Sequence, residues 1–213
     1  MNLHKRECRV DMSSSIPAWG WQQYSLSING EKHTHGVSSA VSSMLGDMID
    51  VLYEMYLESN DFSHASRVRY LHDDPDSPVI TGVTGSFSWD NEGETIDWTL
   101  SRRLYTDEIL LDIEADYNCG EKLYQYQVPF FDMCYAVAKA ASAVISETGI
   151  LGYHFLSERD KIDIHHLLYI KYLGIFRRPF PYSDYLPEDG HMNSLRGKNS
   201  LFADEIELLR FEL

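Results

Sequence analysis

The sequence has few cysteines and no long apolar run, and both absences bear on where the protein works. Its 213 residues include three cysteines, Cys8, Cys119 and Cys134, an odd number without C-x-x-C spacing. Cys134 lies among apolar residues and is expected to be a buried free thiol, which favours a reducing compartment. No stretch approaches the roughly 18 to 20 apolar residues that cross a bilayer, and the first residues lack the apolar segment of a signal peptide. We therefore expect a cytoplasmic protein with no membrane partner.

The sequence also lacks the motifs of common reaction types. It contains no glycine-rich phosphate or dinucleotide loop and no H-E-x-x-H motif. The acidic loop after His72 has neither the glycine nor the distal glutamate of an EF-hand. Among nine histidines, His33 and His35 share one face of a predicted strand, whereas His165 and His166 are adjacent on a predicted helix and should point apart. These features predict a protein that is not an enzyme and that has no cofactor and no metal.

Basic residues are scarce, and the resulting charge is the strongest global feature of the chain. It has 18 lysines and arginines against 33 aspartates and glutamates, a formal net charge of −15 at pH 7. Nucleic acids and anionic lipids repel such a surface, so neither is expected as a partner. A basic protein is compatible with it, and solubility alone is the simpler explanation.

Alternating and helical apolar patterns predict an α+β fold. Asn29-Gly30 is a strong hairpin signal between two strands. One amphipathic helix should begin near Ser38 and end near Glu58, another should begin at Pro129 and end at Gly149, and a third should cover 160–173. Further strands are predicted over 67–71, 86–89, 95–100, 108–116 and 122–126. The result is a largely antiparallel sheet of about five to seven strands with two or three helices packed against it, in a single domain of residues 1–213 whose tail from about 176 is less regular.

A possible internal duplication accompanies this order. Strand, turn, strand and helix follow one another over Tyr24–Met55 and again over Leu110–Ile145, and a Gly-Glu-Lys tripeptide stands near both turns. Three identical residues are a small basis for a repeat. The order by itself predicts helices packed on an antiparallel sheet.

The negative charge is concentrated between Leu71 and Glu121. This segment has thirteen carboxylates against Arg102 and Arg103, a net charge of −11 out of −15. Most of it is predicted strand, where acidic residues are disfavoured and like charges on neighbouring strands cost stability. A docking surface for a basic partner explains the cluster, and a solvated sheet face is the alternative. The carboxylates predicted to bind the partner are Asp90, Glu92, Glu94, Asp97, Asp112, Glu114 and Asp116.

Three blocks of sequence resemble one group of bacterial proteins. They are Met44–Leu52 with its L-G-D motif, Phe87–Trp98 with a W-x-x-E-G-x-x-x-x-W pattern, and the strand Ile109–Ile113. Together they are similar to immunity proteins encoded beside polymorphic or contact-dependent growth inhibition toxins, over about residues 20 to 170. The resemblance implies a cytosolic protein that neutralises a cognate toxin, such as a basic nuclease domain, by stoichiometric occlusion.

An interface of this kind buries about 1,600 Å² in total, and its largest energetic contributions come from a few aromatic residues. Trp89, Tyr105 and Tyr117 lie within the acidic segment and are the predicted aromatic contacts. Two alternatives stay open. One is a hydrolase or metal-dependent enzyme that uses Asp, Glu and His from the sheet, and the other is an acidic homo-oligomeric scaffold. The oligomeric state is not predicted.

Overall fold

Strands and helices follow one another largely in the order that the apolar patterns predict, so the α+β class is confirmed. The computed structural model describes residues 9–18, 21–38, 43–56, 68–73, 80–90, 95–104, 106–117, 120–156, 161–178, 183–184, 198–199, 202–211 and 213. Its strands are β1 (Val10–Ser14), β2 (Trp21–Ile28), β3 (Glu31–Ser38), β4 (Val68–Leu71), β5 (Gly82–Asp90), β6 (Thr95–Arg103), β7 (Glu108–Tyr117), β8 (Gly120–Pro129), β9 (Ser183–Asp184) and β10 (Lys198–Asn199). Its helices are α1 (Met44–Tyr56), α2 (Phe130–Thr148), α3 (Ile150–Leu156), α4 (Ile164–Phe176) and α5 (Phe202–Arg210).

The larger sheet has five antiparallel strands in the order β4-β5-β6-β7-β8. Side chains alternate along each strand, so every second residue is buried. In β6 the residues Ile96, Trp98 and Leu100 are buried, whereas Asp97 between them is exposed. The inner face therefore packs on the rest of the protein, and the opposite face, called the outer face below, carries the polar residues of β5 to β8.

The predicted strands are divided between this sheet and a smaller one of three strands, β1-β2-β3. The β2–β3 hairpin turns at Asn29 and Gly30, whose φ angles of 50° and 89° suit the tight turn predicted for this pair. The two sheets meet through aromatic contacts, including Tyr24 with Trp89 at 5.6 Å between ring centroids. One buried hydrophobic cluster includes residues of both sheets and reaches Leu208 of α5.

Helix α2 occurs where the apolar spacing places it, but the predicted start of the first helix near Ser38 is wrong. Ser38 pairs with Trp21 in the β2–β3 hairpin, and α1 begins at Met44. The predicted end near Glu58 lies outside the described residues.

Helix α2 follows Pro129, which has φ −64°, and ends at Gly149 with φ 70°, as predicted. Cys134 is fully buried in α2, so its prediction as a core thiol is confirmed. Helix α1 packs on β5 at Gly85, where an added Cβ would lie 2.6 Å from a methyl carbon of Val51. A side chain at this position would push the helix away from the sheet.

The predicted bounds of the third helix, 160–173, are wrong at both ends. Helix α4 begins after Asp163, continues through Gly174 and ends at Phe176. A Cβ at Gly174 would lie 2.7 Å from the backbone of Tyr135 in α2. The glycine therefore permits the close approach of α4 to α2, and Arg177 takes the left-handed conformation, with φ 53°, that ends the helix.

Helix α5 is held by a buried lysine of α4. Lys171 is fully buried, and its Nζ donates to the carbonyl oxygens of Leu209 at 3.3 Å and Phe211 at 2.6 Å and to Oγ of Ser142 at 3.1 Å. The carbonyls at a helix C-terminus lack partners within the helix and attract a cation. Burial lowers the pKa of Lys171 from 10.5 to about 8.

We expect the stabilising effect of Lys171 to increase with pH. The unfolded chain keeps the lysine protonated up to about pH 10.4, whereas the folded protein releases this proton near pH 8, so folding becomes more favourable between those values. The measurement is urea unfolding of the wild type and of Lys171→Met. Between about pH 8 and pH 10, the unfolding free energy of the wild type should rise relative to that of the variant, by at most ~1.4 kcal/mol per pH unit.

The matched control is Lys139→Met, because Lys139 is a half-exposed lysine that lies 2.7 Å from Asp11 on the surface. Its difference from the wild type should stay nearly constant over the same pH range. If the difference in unfolding free energy between the wild type and Lys171→Met is also independent of pH, burial does not shift the pKa of Lys171.

Candidate protein-binding face

Four of the predicted carboxylates lie together on the outer face of the five-stranded sheet. Asp90 ends β5, Asp97 lies in β6, and Asp112 and Glu114 lie in β7. All four occupy outward positions of the alternation, and three are exposed, whereas Asp112 is half-buried. We call this group the acidic end of the outer face.

The strand register places two of these carboxylates directly opposite each other. Asp97 pairs with Glu114 across β6 and β7. Ser88 donates a hydrogen bond from Oγ to Asp97, and Gln125 donates from Nε2 to Asp112 at 2.9 Å. Among the described residues, Asp97, Asp112 and Glu114 take part in no ion pair, and no lysine or arginine side chain is described at this end. Like charges in directly opposed positions destabilise a sheet, so the pairing of Asp97 with Glu114 lowers the stability of the folded protein.

The opposite end of the same face carries charges of both signs. Arg69 of β4 and Arg103 of β6 are exposed there, and Nη2 of Arg103 lies 3.7 Å from Oδ1 of Asp73. A cleft of about 370 Å³ opens beside them, lined by Leu71, Ser101, Arg102, Arg103, Thr106, Glu108, Ile109, Leu110 and Gln127. Because Asp73 and the exposed Glu108 offset the two arginines, the outer face is acidic at one end and charge-balanced at the other.

Arg102 does not add to this surface charge, because it is buried. Its Nε donates to the carbonyl of Thr106 at 3.0 Å, and its Nη1 donates to the carbonyl of Met55 at 3.3 Å in the last turn of α1. The guanidinium also lies 4.3 Å from the ring centroid of Phe130. The guanidinium thus supports the C-terminus of α1 and the core instead of a surface partner.

The remaining predicted contacts are placed less completely. Asp116 and Tyr117 lie in β7, and the register sets Asp116 beside Thr95, in the same row as Asp90. Glu92, Glu94 and Tyr105 lie outside the described residues, so their predicted roles stay predictions.

The prediction of Trp89 as an interface residue is wrong. Trp89 is 1% exposed and occupies an inward position of β5. Its ring lies 4.3 Å from that of Trp98 and 5.8 Å from that of Phe87. The alternation of side chains explains the error, since Asp90 and Trp89 are neighbours in sequence but lie on opposite faces.

A second group of polar side chains lies at the start of α4. The sequence predicts that His165 and His166 point apart, but their ring centroids are only 5.5 Å apart. Asp163 precedes them as the N-cap, and its carboxylate accepts hydrogen bonds from the backbone N–H of both. One ligand atom from each of the three side chains lies within 4.8 Å of the other two. The signal that was missed is an N-cap aspartate followed by two histidines in the first turn.

Comparison with protein-family models, with curated proteins and with solved structures gives no match to this chain. The resemblance to immunity proteins therefore stays a prediction. None of the described helices is long and apolar enough to span a membrane. The case for a function consequently depends on the geometry of the two groups just described.

We expect Glu114→Gln to stabilise the protein, because it removes the like charge that faces Asp97. The gain should be about 0.2 to 1 kcal/mol in urea unfolding at low salt, and it should shrink as salt screens the repulsion. Glu108→Gln is the matched control, since Glu108 is also exposed in β7 but accepts a hydrogen bond from Gln127 at 2.8 Å. That variant should gain nothing. Equal effects of the two substitutions would contradict a specific repulsion at Glu114.

Proposed function

We propose that this protein binds a basic protein through the acidic end of the outer face and that it acts as an immunity protein, neutralising a toxin by occlusion. The observation that carries the proposal is the pairing of Asp97 with Glu114 across β6 and β7, flanked by Asp90 and Asp112. If these residues served only solubility, carboxylates alternating with basic residues would make the face equally soluble and would avoid the repulsion.

Docking of a basic partner turns this local cost into a favourable interaction. In the free protein, Asp97 and Glu114 repel each other and have no basic counterpart among the described residues. A lysine or arginine of the partner that lies between the two carboxylates forms charge-assisted hydrogen bonds with both. Clustered charge of one sign also accelerates association, so the effect should appear first in the association rate.

The shape of the face suits an extended contact. The outer face runs across four neighbouring strands, and α1 and α2 pack on other parts of the described structure. Between the acidic end and the end that carries Arg103 lie small polar residues, including Ser86, Thr99 and Ser101. An interface of standard size covers about 800 Å² on each partner, which is enough to extend from the acidic end into this neutral middle.

The charge pattern of the face also favours one orientation of the partner. Positive surface of the partner is attracted to the acidic end, whereas the far end, where Asp73 and Glu108 offset Arg69 and Arg103, offers no comparable attraction. If the partner is a nuclease domain, its phosphate-binding groove is the most basic surface that it presents. The carboxylates of the acidic end then take the positions of the phosphates, and the substrate is excluded without any chemistry by the immunity protein.

We expect the triple variant Asp97→Asn, Asp112→Asn, Glu114→Gln to lose protection against the toxin that the wild type neutralises. Association measured by stopped flow at low salt should slow by about tenfold or more, and its dependence on salt should weaken, because the steering charge is gone. Growth of cells that produce toxin and variant together reports the loss of neutralisation.

The control removes three exposed carboxylates elsewhere, with Asp11→Asn, Glu147→Gln and Glu207→Gln. It changes the net charge equally and leaves the acidic end intact, so binding and protection should stay near those of the wild type. Equal losses in both variants would mean that only total charge matters. Unchanged binding by the first variant would overturn the proposed docking face.

A further inference from the structure

Two histidines and an aspartate at the start of α4 have the composition and spacing of a metal site. Asp163 is the N-cap, and its Oδ1 accepts from the backbone N–H of His165 at 2.8 Å and of His166 at 3.2 Å. These bonds fix the carboxylate beside both imidazoles, and one ligand atom of each residue lies within 4.8 Å of the others. We propose that Asp163, His165 and His166 bind a divalent transition-metal ion of the zinc class.

His166 is held in the orientation that a metal ligand needs. Oδ1 of Asp50 in α1 accepts a hydrogen bond from Nδ1 of His166 at 2.7 Å, which leaves Nε2 as the nitrogen for a metal. A carboxylate on the far nitrogen fixes the tautomer and raises the basicity of a ligating histidine. Both side chains are 24% exposed, so this bond is partly shielded from water.

An aromatic ring of α1 restrains both imidazoles. Tyr53 stacks on His166 with 3.9 Å between ring centroids and an angle of 20°. The edge contact of Tyr53 with His165 has a centroid distance of 5.3 Å, and Tyr169 of α4 packs edge-on against Tyr53 at 5.2 Å. The two rings are therefore confined to a narrow range of orientations before any ion arrives, which reduces the entropic cost of binding.

The local charge compensates for the helix terminus. The N-terminus of a helix repels cations, but the carboxylate of Asp163 lies at this one and that of Asp50 is bonded to His166. The fields of Asp163 and Glu54 add to burial in raising the pKa of Tyr53.

The ligand set selects the kind of ion. Two imidazole nitrogens and one carboxylate suit zinc and its neighbours, whereas magnesium and calcium prefer oxygen ligands alone. Bonds of about 2.0 to 2.2 Å in a tetrahedral site bring the ligand atoms to roughly 3.3 Å from one another. Asp163 and His165 are exposed, so rotation of their side chains supplies this small closure. Water would complete the coordination.

A bound ion would tie α1 to α4, because it would tighten the link from Asp163 and His165 through His166 to Asp50. Helix α1 packs on the inner face of the five-stranded sheet, so this site lies away from the acidic end of the outer face. The inference therefore goes beyond the proposed function and does not depend on it.

The test is a calorimetric titration of the untagged, metal-free protein with ZnCl₂ and, separately, with MgCl₂. The wild type should bind one zinc ion per chain in the micromolar range or tighter and should bind magnesium at least a hundredfold more weakly. Asp163→Asn keeps an N-cap oxygen and His165→Gln changes an exposed residue, so both variants should fold and lose this binding. Asp50→Asn, which acts on a positioning residue, should weaken zinc binding by about 10- to 100-fold.

His72→Gln is the control, because His72 is an exposed histidine beside the carboxylate of Asp73, far from α4 in sequence, and the variant should bind zinc as the wild type does. Cobalt added to the wild type should give the visible absorption of a four-coordinate site, and Asp163→Asn should abolish it. Zinc binding that survives in Asp163→Asn and His165→Gln, or a wild type that takes up no stoichiometric zinc, would overturn the assignment.

Discussion

The position of Trp89 and Trp98 on the inner face fixes the orientation of every other residue in the large sheet. The two rings lie diagonally across β5 and β6, with their centroids 4.3 Å apart, and both are essentially inaccessible to solvent. A slip of one residue in the register would expose these rings and bury Asp97, which the apolar core does not tolerate. The same packing that stabilises the fold therefore holds the carboxylates of β6 and β7 outward and in line. The binding face is a geometric consequence of the core on its other side.

Most of this arrangement follows from patterns of period two and three to four in the sequence. The run Thr95 to Leu100 shows its buried and exposed faces directly, and Asn29-Gly30 marks a hairpin because both residues tolerate a positive φ. The register that sets Asp97 against Glu114 is harder to predict, since it depends on the lengths of the turns between β5 and β7. Strand β1 escapes prediction because Val10–Ser14 is short and half polar, and it is stabilised by pairing with β2.

Long-range contacts account for the features that the sequence does not reveal. In the sequence, Gly174 looks like a residue that ends a helix. In the structure it lies inside α4, where the helix contacts the backbone of α2. A glycine that ends a helix and one that permits close packing cannot be distinguished without that contact. The histidine pair at the start of α4 looks divergent on an ideal helix, and it converges because Tyr53 and Asp50 come from α1, more than a hundred residues away. A charge count likewise misses that Arg102 and Lys171 are buried, as are the acidic Glu54 and Asp132, so the composition does not show which charges reach the surface.

The contact of Lys171 with the end of α5 has a consequence for the order of events during synthesis. Until the carbonyls of Leu209 and Phe211 emerge from the ribosome, the ammonium group of Lys171 has only Ser142 among the hydrogen-bond partners found in the described structure. A nascent chain cut short in this region would have to leave a cation buried with little compensation, or keep α4 from packing fully. The last turn of α5 is therefore needed before α4 can pack around a lysine whose hydrogen bonds are satisfied.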